Sequence, residues 1–338
     1  MQTNIIGYNN LKRFFKNIIE RKTPFPQSLL LYGYEGSGKY TLLKDFILSY
    51  LCQEKSGCKN CHNCKLILKK EHPDVLFLPK EKIIKIETIR NLKTFFYSPP
   101  SELEEKFLLI PCIENMNINA ANSFLKMLEE PPYYLKILAT SDNYNSLLPT
   151  IKSRFMNYHI PILSDEEYEY FVKKIKPEIK ENELVILKHL THKKPYKTIL
   201  FLEKNLIFSF RKDFINAFVN FVEKDDFTGL FYILQQCIKQ DIEDFFYEYL
   251  LLLIRDLIYL KEGLFQFIVN ADILDKISHL KNRFSYFTLW SFLDLIVDTL
   301  RVGKKFYDRE FYLERILWNF YKLKRGLSWQ KMNIQSHY

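Results

Sequence analysis

Residues 33 to 40 read GYEGSGKY. The spacing is that of a phosphate-binding loop, G-x-x-x-x-G-K-[ST], except at its last position. Gly33, Gly36 and Gly38 would let successive backbone N–H groups curl around an anion. Lys39 would reach the phosphates, and the dipole of a following helix would assist. The defect is Tyr40. A serine or threonine oxygen one bond from Cβ can hold magnesium, whereas a phenol oxygen sits at the far end of a rigid ring. Thr41 is no easy substitute, because one step along a helix turns the side chain by about 100°. The loop allows ATP binding and argues against tight magnesium binding.

Hydrolysis also needs an acidic pair at the end of a second strand, one carboxylate for magnesium and one to activate water. The natural strand, Phe107 to Ile110, runs instead into Pro111-Cys112. Glu114 is the nearest acid and lies beyond the strand end. Two separate losses, at Tyr40 and at Pro111-Cys112, point to a protein that does not hydrolyse ATP.

Four of the six cysteines, Cys52, Cys58, Cys61 and Cys64, fall within thirteen residues, spaced C-x5-C-x2-C-x2-C. Such clustering suits tetrahedral Zn²⁺. Four thiolates leave no open position, so the zinc would be structural, and Lys55, Lys59 and Lys65 could offset its charge. His62 or His72 could replace one cysteine, and four reduced, unliganded cysteines are the plain alternative. Cys112 and Cys237 stand alone.

These residues need elements to hold them. SLLLYG before the loop reads as a buried parallel strand, and DVLFL, KFLLI and LKILAT read as further strands. Helices are expected at about Lys39–Leu51, Glu87–Phe96 and Ile118–Glu130. Alternating strands and helices indicate an α/β domain with a mostly parallel sheet. All thirteen prolines lie at or before Pro195, and the last 143 residues hold only four glycines. That second part is expected to be helical, with core stripes at Phe210, Phe214, Phe218 and Phe221, and at Phe246, Leu250, Ile254, Leu257 and Tyr259–Leu260. The most apolar stretch, Phe245 to Leu260, contains Glu248, Arg255 and Asp256, so it reads as a buried helix and not a membrane span.

The 338 residues suffice for two or three domains, and 47% hydrophobic content provides their cores. The opening MQTNIIGYNN lacks the layout of a signal peptide, which makes a cytoplasmic protein the expectation. Net charge is +9 and the pI is near 9.0. That permits nucleic-acid contact. Abundant Phe, Tyr, Ile, Lys and Asn would also follow from an AT-rich genome.

Residues 118 to 155 read INAANSFLKMLEEPPYYLKILATSDNYNSLLPTIKSRF. The stretch resembles the clamp-loader branch of the AAA+ ATPases, in which an N-A-L-L-K-x-L-E-E-P-P helix precedes an L-A-T strand and an S-R-C motif. The matching residues here are Asn122 through Pro132, Leu138-Ala139-Thr140 and Ser153-Arg154-Phe155. The cysteine cluster after the loop helix, HPDVLFL from His72, and IIGYNNLKRFF near the start match the bacterial subunits. The resemblance covers about residues 4 to 162. Beyond that it rests on the helical pattern and on LLLIRDLIYLKEG, Leu251 to Gly263. Phe155 departs from the cysteine of S-R-C, the spacing from Cys52 to Cys58 is short, and HKKPYKTIL lacks the usual turn and sensor arginine.

The resemblance implies an AAA+ phosphate-loop domain at 1–162, with a zinc module at about 52–70. A small helical lid at 163–205 and an all-α collar at 206–338 would follow. It implies that Arg154, beside Ser153, enters a neighbouring subunit's ATP site in trans, where an arginine fork suits phosphate. Thr140 falls at a nucleotide-sensing position. The implied partners are the gamma/tau and delta clamp-loader subunits and, through the complex, the sliding clamp and primed DNA, with no membrane. Glu129-Glu130, at a helix C-terminus, lie against the helix dipole and hint at a contact. The competing functions are an active gamma/tau-type ATPase and a zinc-bearing DNA-binding module outside any clamp loader.

Overall fold

The computed structural model describes residues 7–204, 209–240, 242–302 and 309–325. The chain packs as two compact units. One holds residues up to Phe171 with Lys194–Tyr196; the other holds Val172–Lys193 and the residues from Lys197 onward.

The first unit runs α1 (Asn9–Ile19), β1 (Ser28–Gly33), α2 (Lys39–Leu51), α3 (His62–Lys69), β2 (Val75–Phe77), α4 (Ile86–Tyr97) and β3 (Lys106–Ile110). It continues through α5 (Ile118–Glu129), β4 (Leu135–Ser141), α6 (Pro149–Lys152) and β5 (Met156–Ile160) into α7 (Asp165–Ile175). The sheet order is β2-β3-β4-β1-β5. Every pairing is parallel, as the strand–helix alternation predicts. The central strands are continuous apolar runs because helices cover both faces. Leu29, Leu30 and Leu31 are fully buried, as is every residue of Phe107–Ile110.

One helical layer stacks Phe15 of α1 on Phe46 of α2, with Phe25 bridging to Phe46 and Phe107. The other gathers Ile89, Leu92 and Phe96 of α4 with Phe124 and Met127 of α5, Ile151 and Phe155. Phe155, where the resembling motif has cysteine, is therefore a core side chain. β5 is the strand that the sequence reading missed. It lies at the sheet edge, five residues long with Met156 and Asn157 exposed, so it shows no apolar run and its Met-Asn-Tyr-His-Ile alternation is too short to stand out.

Strand order places the site. β4 lies between β3 and β1, with Ile110 opposite Ala139 and Tyr32 opposite Ser141. The segments leaving the carboxyl ends of β1, β3 and β4 are therefore neighbours, the usual location of a crevice in such sheets.

The second unit contains α8 (Glu181–Thr191), α9 (Pro195–Glu203) from Lys197 onward, α10 (Ser209–Lys224), α11 (Thr228–Lys239), α12 (Glu243–Glu262), α13 (Leu274–Ile277), α14 (Tyr286–Val302) and α15 (Arg309–Lys324). Its aromatic stripe is core, as periodicity predicts: Phe214 packs on Phe246 and Tyr249. Asp256 is fully buried in α12. It accepts from the N–H of Val269 and from both the backbone and side-chain amides of Asn270. Among the described residues, no helix is long and apolar enough to cross a membrane.

Candidate functional site

The loop after β1 turns on three glycines with positive φ, Gly33, Gly36 and Gly38. Gly38, at φ 85°, caps α2 in the left-handed region. A Cβ on Gly33 would lie 2.4 Å from the carbonyl oxygen of Ile160, so only glycine fits beside β5 there. Lys39 is buried at 4% exposure. Its ammonium donates to Gly33 O (2.9 Å), Tyr34 O (2.6 Å) and Ser37 Oγ (3.1 Å), and lies 2.8 Å from Asp142 Oδ1. Tyr40 is half-buried, and burial raises its phenol pKa. Thr41 is exposed on α2.

At the end of β3, Cys112 adopts a left-handed backbone conformation, φ 48°. Its N–H donates to Thr140 Oγ1 at 3.1 Å, and its thiol donates to Asp142 Oδ2 at 3.4 Å. Burial, followed by the Asp142 carboxylate, pushes that thiol up to about 12. Glu114, the acid nearest the strand end in sequence, accepts through Oε1 from the N–H groups of Asp142 (2.7 Å) and Asn143 (3.2 Å). It caps the turn leaving β4. Thr140 is 3% exposed, and its oxygen ties β4 to the end of β3.

Arg154 follows α6. Its guanidinium donates to Thr150 O (2.9 Å) and to Glu129 Oε1 (3.1 Å), with side-chain exposure of 32% and 55% for the pair. Ser153 Oγ donates to the same Thr150 carbonyl at 3.1 Å. The pair explains Glu129: its carboxylate at the end of α5 is balanced by the arginine one segment later.

The four clustered cysteines converge. Cys52 ends α2, Cys61 precedes α3 and Cys64 lies within it, and all four sulfurs lie within 4.8 Å of one another. A tetrahedral ion bound at about 2.3 Å needs sulfurs about 3.8 Å apart, so the set fits one thiophilic cation. Two sulfurs accept backbone N–H groups, Cys52 from Cys58 and Cys58 from Cys61, both at 3.4 Å. Burial opposes charge on Cys52, but the N–H groups of Cys58, Ser56 and Glu54 outweigh it and hold the thiol at about 5. His62 pairs with Glu102 at 3.6 Å, outside the cysteine cluster. His72 is buried and accepts the N–H of Asp74 at Nδ1.

The family profile for DNA polymerase III, delta subunit, matches residues 7–164, and its C-terminal counterpart matches residues 207–322. Between them they span the site and most of the helical unit. The chain belongs to the delta-prime branch of the DNA polymerase III clamp-loader subunits.

Relatives in that family include the DNA polymerase III subunit delta' of Pseudomonas aeruginosa, 37% identical over 139 residues, covering 39% of this chain and 42% of the relative. The Bacillus subtilis subunit delta' is 35% identical over 141 residues, covering 41% and 43%. A gamma subunit from Buchnera aphidicola of Schizaphis graminum is 30% identical over 149 residues, covering 43% and 41%. The chain spans between 41% and 49% of the length of the first relatives it matches. A DNA polymerase III gamma subunit-related protein of Thermotoga maritima has the same fold, with TM-score 0.51 and 24% identity over 94% of this chain and 100% of that one.

Sequence reasoning named Lys39, Thr140, Ser153, Arg154 and the four cysteines as candidates. The structure brings Lys39 and Thr140 to neighbouring strand ends, and the cysteines form a separate cluster. Sequence reasoning missed Asp142, the carboxylate that faces Lys39. A lone acid just past the end of β4 was the available signal, and only the strand order gives it meaning.

Proposed function

We propose that this chain is the non-hydrolysing subunit of a DNA polymerase III clamp loader. It acts as a stator and as the donor of Arg154 to a neighbouring gamma/tau subunit's ATP site while the sliding clamp is loaded onto primed DNA. The observation that carries the reading is the pairing of a disabled loop with an available arginine. Tyr40 replaces the magnesium-holding hydroxyl, Pro111-Cys112 replaces the acidic pair, and Glu114 is engaged in a turn. Arg154, by contrast, is held only by an exposed carboxylate and a carbonyl, contacts of small worth that a phosphate can outcompete. The ordered domains would be the phosphate-loop domain at 1–162, a lid at 163–205 and a collar at 206–338, in a cytoplasmic complex with gamma/tau and delta.

In this reading the cysteine cluster holds structural Zn²⁺. Cys52, Cys58, Cys61 and Cys64 tie the end of α2 to the start of α3, and the ion would crosslink a segment with little core of its own.

Reconstitution tests the function. Gamma/tau, delta and this chain are mixed with labelled sliding clamp and primed circular DNA, with and without the chain. Loading that depends on the chain is the expected result. Equal loading without it would overturn the assignment.

A further inference from the structure

Lys39 is buried, and its ammonium has four acceptors within hydrogen-bond distance, three of them within its own loop. An ammonium has three protons. Every proton therefore already has a protein acceptor, and the charge has a carboxylate partner in Asp142.

That carboxylate is fixed in place. The Asp142 N–H is held by Glu114 Oε1, and Oδ2 accepts the Cys112 thiol. Lys80 stands 3.8 Å from Oδ2 and 3.3 Å from Glu35 Oε1. Lys39 and Lys80 are thus matched by Asp142 and Glu35, with Glu114 adding further negative charge. A nucleotide brings several negative charges to a loop whose cations are already neutralised. The ligand atoms of Cys112, Glu114 and Asp142 lie within 4.8 Å of one another, but the two lysines on the same carboxylate disfavour a cation there. The outer side of the loop is also occupied. The N–H of Tyr196 donates to Gly36 O at 3.2 Å, and a Cβ on Gly36 would lie 3.3 Å from the Cβ of Tyr196.

We infer that Asp142 is a resident counterion for Lys39 and latches the phosphate loop against nucleotides. The inference rests on the reading of the loop as non-hydrolytic and extends it. Loss of the metal ligand and base removes turnover but leaves binding open; the latch removes binding as well.

The test is equilibrium titration of the full chain with ATP and with ADP, by calorimetry, for wild type, Asp142→Asn and Asp142→Asn/Lys39→Ala. Circular dichroism confirms that each is folded. Wild type is expected to show no binding up to about 1 mM, Asp142→Asn to gain at least roughly tenfold in affinity, and the double variant to lose that gain. Equal affinity of wild type and Asp142→Asn overturns the latch. A second measurement needs no variant: the Lys39 ammonium protons of wild type should exchange slowly in NMR and stay unmoved by ATP. A resonance that moves with ATP also overturns it. Nucleotide binding without turnover defeats the latch and leaves the proposed function standing. Turnover by the isolated chain defeats the proposed function itself.

Discussion

Glu129 Oε1 lies 3.1 Å from Arg154 Nη2, joining the last turn of α5 to the residue that follows α6. A carboxylate at a helix C-terminus is unfavourable against the helix dipole, and the guanidinium relieves it. Both side chains are partly exposed, so the pair is worth at most about 1 kcal/mol. In the proposed role it would hold Arg154 in place and release it to a phosphate. Glu129→Gln should therefore change the unfolding free energy by less than about 1 kcal/mol in urea titration. It should leave ATPase stimulation of a gamma/tau partner intact, because the arginine is retained. Strong loss of stimulation in that variant would mean Glu129 itself contributes to the neighbouring site.

Restoring one part of the degenerate loop should not restore chemistry. Tyr40→Thr returns a hydroxyl to the magnesium position but leaves Pro111-Cys112 without carboxylates. Steady-state phosphate release by isolated Tyr40→Thr is expected to match the wild-type background. Turnover above that background would show that another acid, Glu114 first among them, serves the chemistry.

The thiols provide a count. Zinc on the four clustered cysteines, as proposed, would protect them, and burial pushes both Cys112 and Cys237 up to about 12, so these two stay protonated far above neutral pH. A thiol reagent at pH 8 should find no fast-reacting cysteine in the metal-loaded protein, four after chelation, and all six after unfolding. One zinc per chain by elemental analysis should accompany the first state. Four fast thiols before chelation would speak against a bound ion.

Asp256 tests the helical unit independently of the site. It accepts four N–H bonds while fully buried, three from Val269 and Asn270 and one from the Arg255 guanidinium, so Asp256→Ala removes the acceptor that these donors share. The expected loss is about 3 kcal/mol of stability, read as a lower unfolding midpoint. A change under about 0.5 kcal/mol would mean that those donors find other acceptors.

What was legible in the sequence was what is local or periodic. The loop, the cysteine spacing and the runs that become β1, β3 and β4 each occupy a few consecutive residues, so their chemistry can be read before folding. The aromatic stripes of α10 and α12 were legible for the same reason. β5 was not, because an edge strand with exposed residues carries no burial pattern. Nor were the pairs Glu129–Arg154 and Lys39–Asp142, which exist only because the topology brings separate segments together. The cysteine set was legible from its spacing, and the fold gathers those four sulfurs while His62 pairs with Glu102.

The most direct test of the account is steady-state ATP hydrolysis in the presence of primed DNA and sliding clamp. It compares this chain alone, its gamma/tau partner alone, their mixture, and the mixture carrying Arg154→Ala. The account predicts silence from the chain alone and stimulation in the mixture. It predicts loss of that stimulation with Arg154→Ala, where arginine donors in trans contribute on the order of 10³-fold or more. Robust turnover by the chain alone, or undiminished stimulation by Arg154→Ala, would contradict it.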